Sequence, residues 1–448
     1  MFRFPWKKVG LNPSNVAADG RSLPSRDLTG SGGLARRLGR FMLVVLLVLS
    51  LLVHNPMLFL LDVLVLIALG TSWLWGRFCL AGVSYARNFQ NDRLFFGEET
   101  DLWIEVVNAK PLPLTWFKAE DEFPKELKVQ RVEWGYASNL LRQTMVNLYS
   151  LRWYERVRRR YRVVGNRRGA YDIGPVSISS GDLFGFRRRQ ADLDQRQTLL
   201  VYPKIVPLER LDLRAARPLG EFSAERRIVE DPLRLAGTRD YQAGDSIRHI
   251  HWKATARRSM LQTKVFDPSA SQHLVICLNT QTLEHLFEGV VVDFFETAIV
   301  VAASVAQAGL EARRSVGLSA NSAVRDAKQW LHLPASRHAM QPTRILEALA
   351  QLNAQPLLPF ENLLRLEAPQ LPYGATLLAV TPIVTEPILT ALLDLRLAGH
   401  PVALIVVGRQ PDRPVPPELP MQCVLENWTE LKSLDLAFST QPSVVSER

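Results

Sequence analysis

The longest apolar run in the chain lies between residues 41 and 75, where His54, Asn55 and Asp62 are the strongly polar interruptions. One helix of that length would reach roughly 50 Å at 1.5 Å per residue, against a hydrocarbon core of about 30 Å. The break His54-Asn55-Pro56 sits where a turn would divide the run. Proline lacks the amide donor and disfavours helix at the residue before it. The pattern therefore predicts a transmembrane hairpin over 34–76. Its first helix, 41–53, is lengthened by residues 34–40 while Arg36, Arg37 and Arg40 snorkel to the interface, and its second spans 57–75. Asp62 falls inside the second helix, where a charge is costly. It is expected at head-group level, protonated, or hydrogen-bonded to the partner helix.

Beyond the hairpin the period changes. Leu102, Ile104 and Val106 alternate with polar neighbours, 114–117 and 156–163 repeat the strand character, and Gly, Pro and Asn punctuate the path to 171–176. Short strands of this kind predict a small β-sandwich over 84–190. A Pro-, Arg- and Glu-rich connector, 191–232, follows. From 233 to 440 strands alternate with helices: strand 274–278, helix 287–308, strand 315–318, helix 343–352, strand 375–380, helix 386–398 stopped by Gly399, and strand 402–407. That alternation predicts an α/β unit built on a mostly parallel sheet. The expected fold class is multidomain: a flexible basic segment over 1–33, the hairpin, the β-sandwich, the connector and the α/β domain.

Length and charge refine this picture. The 448 residues, 47% of them hydrophobic, suffice for more than one core. The formal net charge of +10 implies an acidic counterpart, either anionic lipid or nucleic acid. Arg156, Arg158, Arg159, Arg160, Arg162, Arg167 and Arg168 form the densest charge, followed by Arg187, Arg188 and Arg189. Few aromatics are interleaved for base stacking, so a solvated strand face beside an anionic membrane is expected rather than nucleic-acid binding. Cys79, Cys277 and Cys423 are too scattered for a disulfide framework or a Cys-based zinc site.

Lys7, Lys8, Arg36, Arg37 and Arg40 precede the hairpin, and Arg77, Arg87 and Arg93 follow it. Both ends then read as cytoplasmic, which makes the chain a multi-pass protein of the inner membrane. The rival reading treats Arg36-Arg37 and 41–53 as a twin-arginine export signal, although no small-residue cleavage site separates 41–53 from the second apolar run.

The most informative stretch is 237–257, with Gly237, Arg239, Tyr241, Gly244, Asp245, Arg248, Ile250, Trp252, Lys253, Ala256 and Arg257 at fixed spacing. It resembles the signature of the family called domain of unknown function 58, which reads G-x-R-x-Y-x-x-G-D-x-x-R-x-I-x-W-K-x-x-A-R. The stretches 168–175 and 182–185 look like that family's approach to the motif. The resemblance implies a membrane-associated scaffold with a von Willebrand factor A-like (Rossmann-type) C-terminal domain and, as partner, a MoxR-type AAA ATPase.

In residue terms the glycine turn at Gly244 leaves Asp245 to cap the next segment, and Ile247, Ile250 and Trp252 supply apolar anchors against a core. Arg239, Arg248, Lys253 and Arg257 are available to Asp240, Asp245 or an external acid. The same residues admit a metal-dependent hydrolase or nuclease built on Asp240, Asp245, His249, His251 and Lys253. No phosphate-binding G-x-x-x-x-G-K-[ST] loop occurs in the chain.

The von Willebrand factor A resemblance also implies a divalent-cation loop, D-x-S-x-S, after the first strand of the α/β unit. Here that loop reads Asn279, Thr280, Gln281, Thr282 and Leu283, so its carboxylate is missing and a leucine replaces the last hydroxyl. A hard cation loses its anionic ligand, although Thr280, Thr282 and Thr381 retain neutral oxygens. The expectation is a non-catalytic scaffold or assembly factor, with no cofactor and no metal, in which this loop faces a protein partner. An anionic-lipid-binding role for the basic β domain is the remaining alternative.

Overall fold

The computed structural model describes residues 26–27, 56–136, 140–182, 187–212, 235–242, 247–266, 273–285, 288–372, 375–411 and 413–438. The chain divides into two compact units, Met1–Pro203 and Lys204–Arg448.

The first unit opens on α1 (Pro56–Phe78). Its stretch Phe59–Phe78 is long and apolar enough to cross a membrane. Phe59, Leu60, Leu61, Leu64, Ile67 and Trp73 leave their apolar side chains exposed, as a water-facing helix would not. Asp62 is 4% exposed, and its Oδ2 has no hydrogen-bond partner among the described residues. The expected first membrane helix, 41–53, lies outside the described residues.

Nine longer strands follow: β1 (Val83–Phe89), β2 (Glu99–Asn108), β3 (Leu114–Pro124), β4 (Arg142–Leu151), β5 (Arg156–Val164), β6 (Gly169–Ile173), β7 (Val176–Gly181), β8 (Arg188–Leu193) and β9 (Gln197–Val201). β9 and the end of β8 fall in the stretch expected as a connector. One sheet has the order β1-β2-β5 and ends on Lys128–Val129. A second runs β8-β7-β3-β4, edged by Arg26–Asp27 and Trp134–Tyr136, and a third joins β6, β9 and Arg93–Leu94. Period-2 alternation puts Leu102, Ile104 and Val106 of β2 inward, where they join Phe117, Phe123, Met145, Ile173 and Ile178 in one apolar cluster.

A buried ion pair crosses this core. Arg87 of β1 meets Asp121 of β3 at 2.5 Å, with side chains 2% and 0% exposed. Tyr85 donates its hydroxyl to Asp121 at 3.0 Å, and the Arg87 guanidinium also donates to the carbonyls of Ile173 (2.9 Å) and Gln195 (3.2 Å). The backbone there comes so close that a Cβ on Gly174 (φ +99°) would stand 2.0 Å from the Gln195 carbonyl oxygen. Only glycine satisfies both demands.

The second unit contains β10 (Leu208–Asp212), β11 (Leu235–Asp240), α2 (Trp252–Arg258), β12 (Gln262–Phe266), β13 (His273–Leu278), α3 (Val292–Glu311), β14 (Ser315–Val324), β15 (Trp330–Ser336), α4 (Gln341–Gln351), β16 (Leu352–Pro356), α5 (Phe360–Glu367), β17 (Thr376–Thr381), α6 (Glu386–Leu397), β18 (Val402–Val407), β19 (Met421–Val424) and β20 (Leu434–Ala437). The main sheet is ordered β15-β14-β13-β17-β18-β19, with β16 also on β14. β14, β13, β17, β18 and β19 pair in parallel; β15 and β16 are antiparallel.

α3 has the length and apolarity of a membrane span, but it is mostly buried, with Ile299, Val301 and Val305 inside the unit. It starts later than the expected 287–308, and β14 extends well past the expected 318. α5, β15 and β16 were not expected. α6 ends as expected at Gly399, which takes φ +94° and donates its amide to Arg396.

Candidate functional site

β11 and β12 form an antiparallel pair, and the signature residues hang on it. Gly237 and Arg239 lie on β11, and the Tyr241 amide donates to the Leu261 carbonyl at 2.9 Å. Gly244 and Asp245 lie outside the described residues. The cap of α2 is His251, whose Nδ1 accepts from the Ala254 amide at 3.0 Å. A histidine nitrogen spent in this way is lost to a metal. Asp240 is likewise engaged, accepting from the buried Gln262 side chain at 2.5 Å. Among the described residues no group of three His, Cys, Asp or Glu side chains is placed to hold a metal ion.

The expected apolar anchoring holds for one residue of three. Ile250 is 6% exposed and bridges to Thr263, whereas Ile247 and Trp252 are 72% and 65% exposed. Met260 and Leu261 are exposed beside them in the chain. Arg248, Lys253, Arg257 and Arg258 are exposed too, and none pairs with a carboxylate among the described residues. The segment thus presents apolar side chains among cations that meet no carboxylate among the described residues.

The second candidate locus lies where the main sheet switches direction. β13 has β14 on one side and β17 on the other, so the C-terminal ends of its strands flank the crevice in which open α/β sheets hold ligands. Asn279, Thr280, Thr282, Asn321 and Thr381 meet at this end, each with 0% exposure. Asn279 Nδ2 donates to Thr381 Oγ1 (2.9 Å), which passes its own proton to the Ile383 carbonyl (2.7 Å). Asn279 Oδ1 accepts from the Gln281 amide (3.0 Å) and from Asn321 Nδ2 (2.9 Å). Asn321 Oδ1 accepts from both the amide (2.8 Å) and the hydroxyl (3.0 Å) of Thr280. Thr282 Oγ1 accepts from the Val291 amide at 2.8 Å, and Gln281 Nε2 bonds the Leu283 and Glu284 carbonyls at 2.9 and 3.0 Å.

Of the neutral oxygens that sequence left available to a cation, Thr381 Oγ1 accepts from Asn279 Nδ2 and Thr282 Oγ1 from the Val291 amide, while Thr280 Oγ1 gives its proton to Asn321 Oδ1. Asn321, which ties the loop together, was missed because it lies far downstream.

Ser319, His332 and Glu367 form a grouping with the composition of a hydrolytic triad. Both contacts fall on the same imidazole atom, however: Nδ1 lies 3.2 Å from Ser319 Oγ and 2.8 Å from Glu367 Oε1. A relay needs the ring to bridge serine and carboxylate through its two nitrogens, and Ser319 is 1% exposed. Thiolate chemistry is no better placed, since burial pushes the thiols of Cys79, Cys277 and Cys423 upward.

The arginine run of β5 sits next to β2, whose outward residues Glu99, Asp101, Trp103 and Glu105 face it. Arg156 pairs with Glu105 (3.4 Å), Arg160 with Asp101 (2.6 Å) and Arg162 with Glu99 (3.3 Å). Arg158 lies over the Trp103 ring, 4.1 Å from its centroid. Arg159, on the other face, bonds Asn147 (3.3 Å) and the Leu148 carbonyl (2.6 Å). Much of the densest charge in the chain is thus compensated inside the sheet.

The chain is 25% identical over 242 residues to the uncharacterized protein YeaD of Bacillus subtilis (strain 168), a match covering 52% of this chain and 54% of that one. It therefore spans about half the length of the curated relative it matches. Among solved structures it is similar to a cohesin module from the family 33 glycoside hydrolase of Clostridium perfringens ATCC13124, at 8% identity and a TM-score of 0.18, over 26% of this chain and 96% of that one. It is also similar to the sporulation control protein Spo0M of Bacillus subtilis, at 11% identity and a TM-score of 0.17, over 27% and 50%. Likeness this loose carries no argument. Residues 237–366, which begin at the signature segment, match the family described as protein of unknown function DUF58, the family that the motif resembles.

Proposed function

We propose that the protein is a non-catalytic, membrane-anchored scaffold that engages an acidic protein partner through the signature segment. The observation that carries this reading is the exposure of Trp252 and Ile247 among the exposed cations Arg248, Lys253, Arg257 and Arg258, which meet no carboxylate among the described residues. An exposed tryptophan flanked by exposed arginines has the composition of an interface hot spot. The closed hydrogen-bond network at 279–282 and the single-nitrogen contacts of His332 support a body that binds rather than catalyses.

In this reading the second unit is a von Willebrand factor A-like domain without its cation. The strands of the first unit make a β-sandwich, and a two-span hairpin keeps both units on the cytoplasmic side of the inner membrane. The partner that the resemblance implies is a MoxR-type AAA ATPase.

Copurification from gently solubilised membranes tests the proposal. The wild-type chain retains a stoichiometric protein partner, and the W252A/R257E variant loses it at unchanged expression. If no partner rises above background and the purified chain has hydrolytic activity that alanine at His249 and His251 abolishes, the protein is an enzyme and the proposal fails.

A further inference from the structure

The C-terminal end of α1 is fixed to the turn between β7 and β8. Ser72 Oγ donates to Asp182 Oδ2 at 2.6 Å, and the other oxygen of Asp182, itself 1% exposed, accepts the Arg187 amide at 2.7 Å. The backbones close the same turn, with the Asp182 amide on the Arg187 carbonyl at 3.2 Å. One helical turn beyond Ser72, a Cβ on Gly76 would stand 2.8 Å from Arg187 Cδ, so the arginine stem lies directly on the helix.

These contacts set a depth. Ser72 lies only about 9 Å, at 1.5 Å per residue, from the helix end at Phe78. In the same stretch Arg77 stacks on Trp73, 5.8 Å from the ring centroid, and Trp73 is 48% exposed. A tryptophan and an arginine in the last turns of an apolar helix mark the membrane interface. Arg187, packed against that stretch, and Arg188 next to it therefore stand at the level of the lipid head groups.

Their charge is also available. Neither Arg187 nor Arg188 pairs with a carboxylate among the described residues. Arg188 bonds Ser179 Oγ at 3.3 Å and lies over the Trp116 ring at 5.5 Å, contacts that orient the guanidinium without neutralising it. On β5, by contrast, Arg156, Arg160 and Arg162 each meet an acid of β2. Two arginine-rich stretches that look alike in sequence thus differ physically, and at the helix end Arg187 and Arg188 keep their charge for an outside anion.

We propose that Arg187 and Arg188 form a seat for the phosphodiester of an anionic phospholipid beside α1, fixing the first unit on the membrane surface. The seat rests on α1 lying in the bilayer and is independent of the partner surface at Trp252. Guanidinium groups suit phosphate because their donors meet its oxygens two at a time.

The test uses the full chain in non-ionic detergent with equal amounts of phosphatidylglycerol and phosphatidylcholine, and native mass spectrometry to count retained lipids. The wild type retains phosphatidylglycerol in preference, and R187Q/R188Q lowers that preference about tenfold or more. R187K/R188K restores much of it, and R156Q/R162Q on β5 leaves it unchanged. R188Q alone, at an exposed side chain, also lowers it, which keeps the test open should the double variant fail to fold. Absence of a preference in the wild type, an undiminished preference in R188Q, or an equal loss in R156Q/R162Q overturns the proposal. So does displacement of the lipid by millimolar inorganic phosphate, which indicates a free-phosphate site.

Discussion

Asn279 shows how one atom decides the chemistry of a sheet end. With a carboxylate there, Thr381 Oγ1 would be asked for two protons, one for the new oxygen and one for the Ile383 carbonyl that it now serves at 2.7 Å. A hydroxyl has one to give. N279D should therefore leave one buried acceptor unpaired and destabilise the protein by about 1–3 kcal/mol. Thermal unfolding of the full chain in detergent checks this, and an unchanged midpoint would mean that the network relaxes around the substitution. Asp121 is the harsher case. D121N strands Arg87, whose side chain is 2% exposed, and removing one partner of a buried ion pair costs about 3–5 kcal/mol. Denaturant titration followed by tryptophan fluorescence measures the loss, which should exceed that of N279D.

The joint between α1 and the strands depends on Lys110, whose ammonium donates to the carbonyls of Cys79 and Ala81 just past the helix end. Cations suit the C-terminal end of a helix because its last carbonyls lack partners. Burial pulls the lysine down to about 8 from its ordinary 10.5, against the smaller opposing effect of the neighbouring Cys79. Between these values the unfolded chain holds more protons than the folded one, so the lysine contribution to stability rises with pH from about 8 to about 10.5. Subtracting the pH–stability curve of K110M from that of the wild type isolates this slope. A flat difference across the window would contradict it.

At this scale some elements were legible and others were not. β2 showed in its alternation, and α6 in its glycine stop. α5 buries Phe360, Leu363, Leu364 and Glu367 at helical spacing, yet its brevity hid it behind β16, a strand that was not expected either. The arginines of β5 looked like free charge because their acids lie on β2, and no local window contains both sides of a strand pair. Trp252 and Ile247 read as anchors because they are apolar, but apolar residues also populate surfaces, and only packing separates the two cases.

For the whole molecule, the thiols report which side of the membrane holds the two units. Cys79 and Cys277 are buried, Cys423 is half-buried, and burial pushes all three thiols upward, so the native chain should react slowly with a charged maleimide at neutral pH. Leu397, at the end of α6, is 86% exposed, and L397C would place a reactive thiol on the surface of the second unit. With the units in the cytoplasm, a membrane-impermeant maleimide labels L397C only after sealed spheroplasts are permeabilised, and the native chain stays weakly labelled in both states. Labelling of L397C in sealed spheroplasts would place the units outside, as the twin-arginine reading of Arg36-Arg37 requires. An acidic cytoplasmic ATPase could then no longer reach Trp252, whereas the lipid seat at Arg187 and Arg188 would survive, because either leaflet can supply anionic head groups.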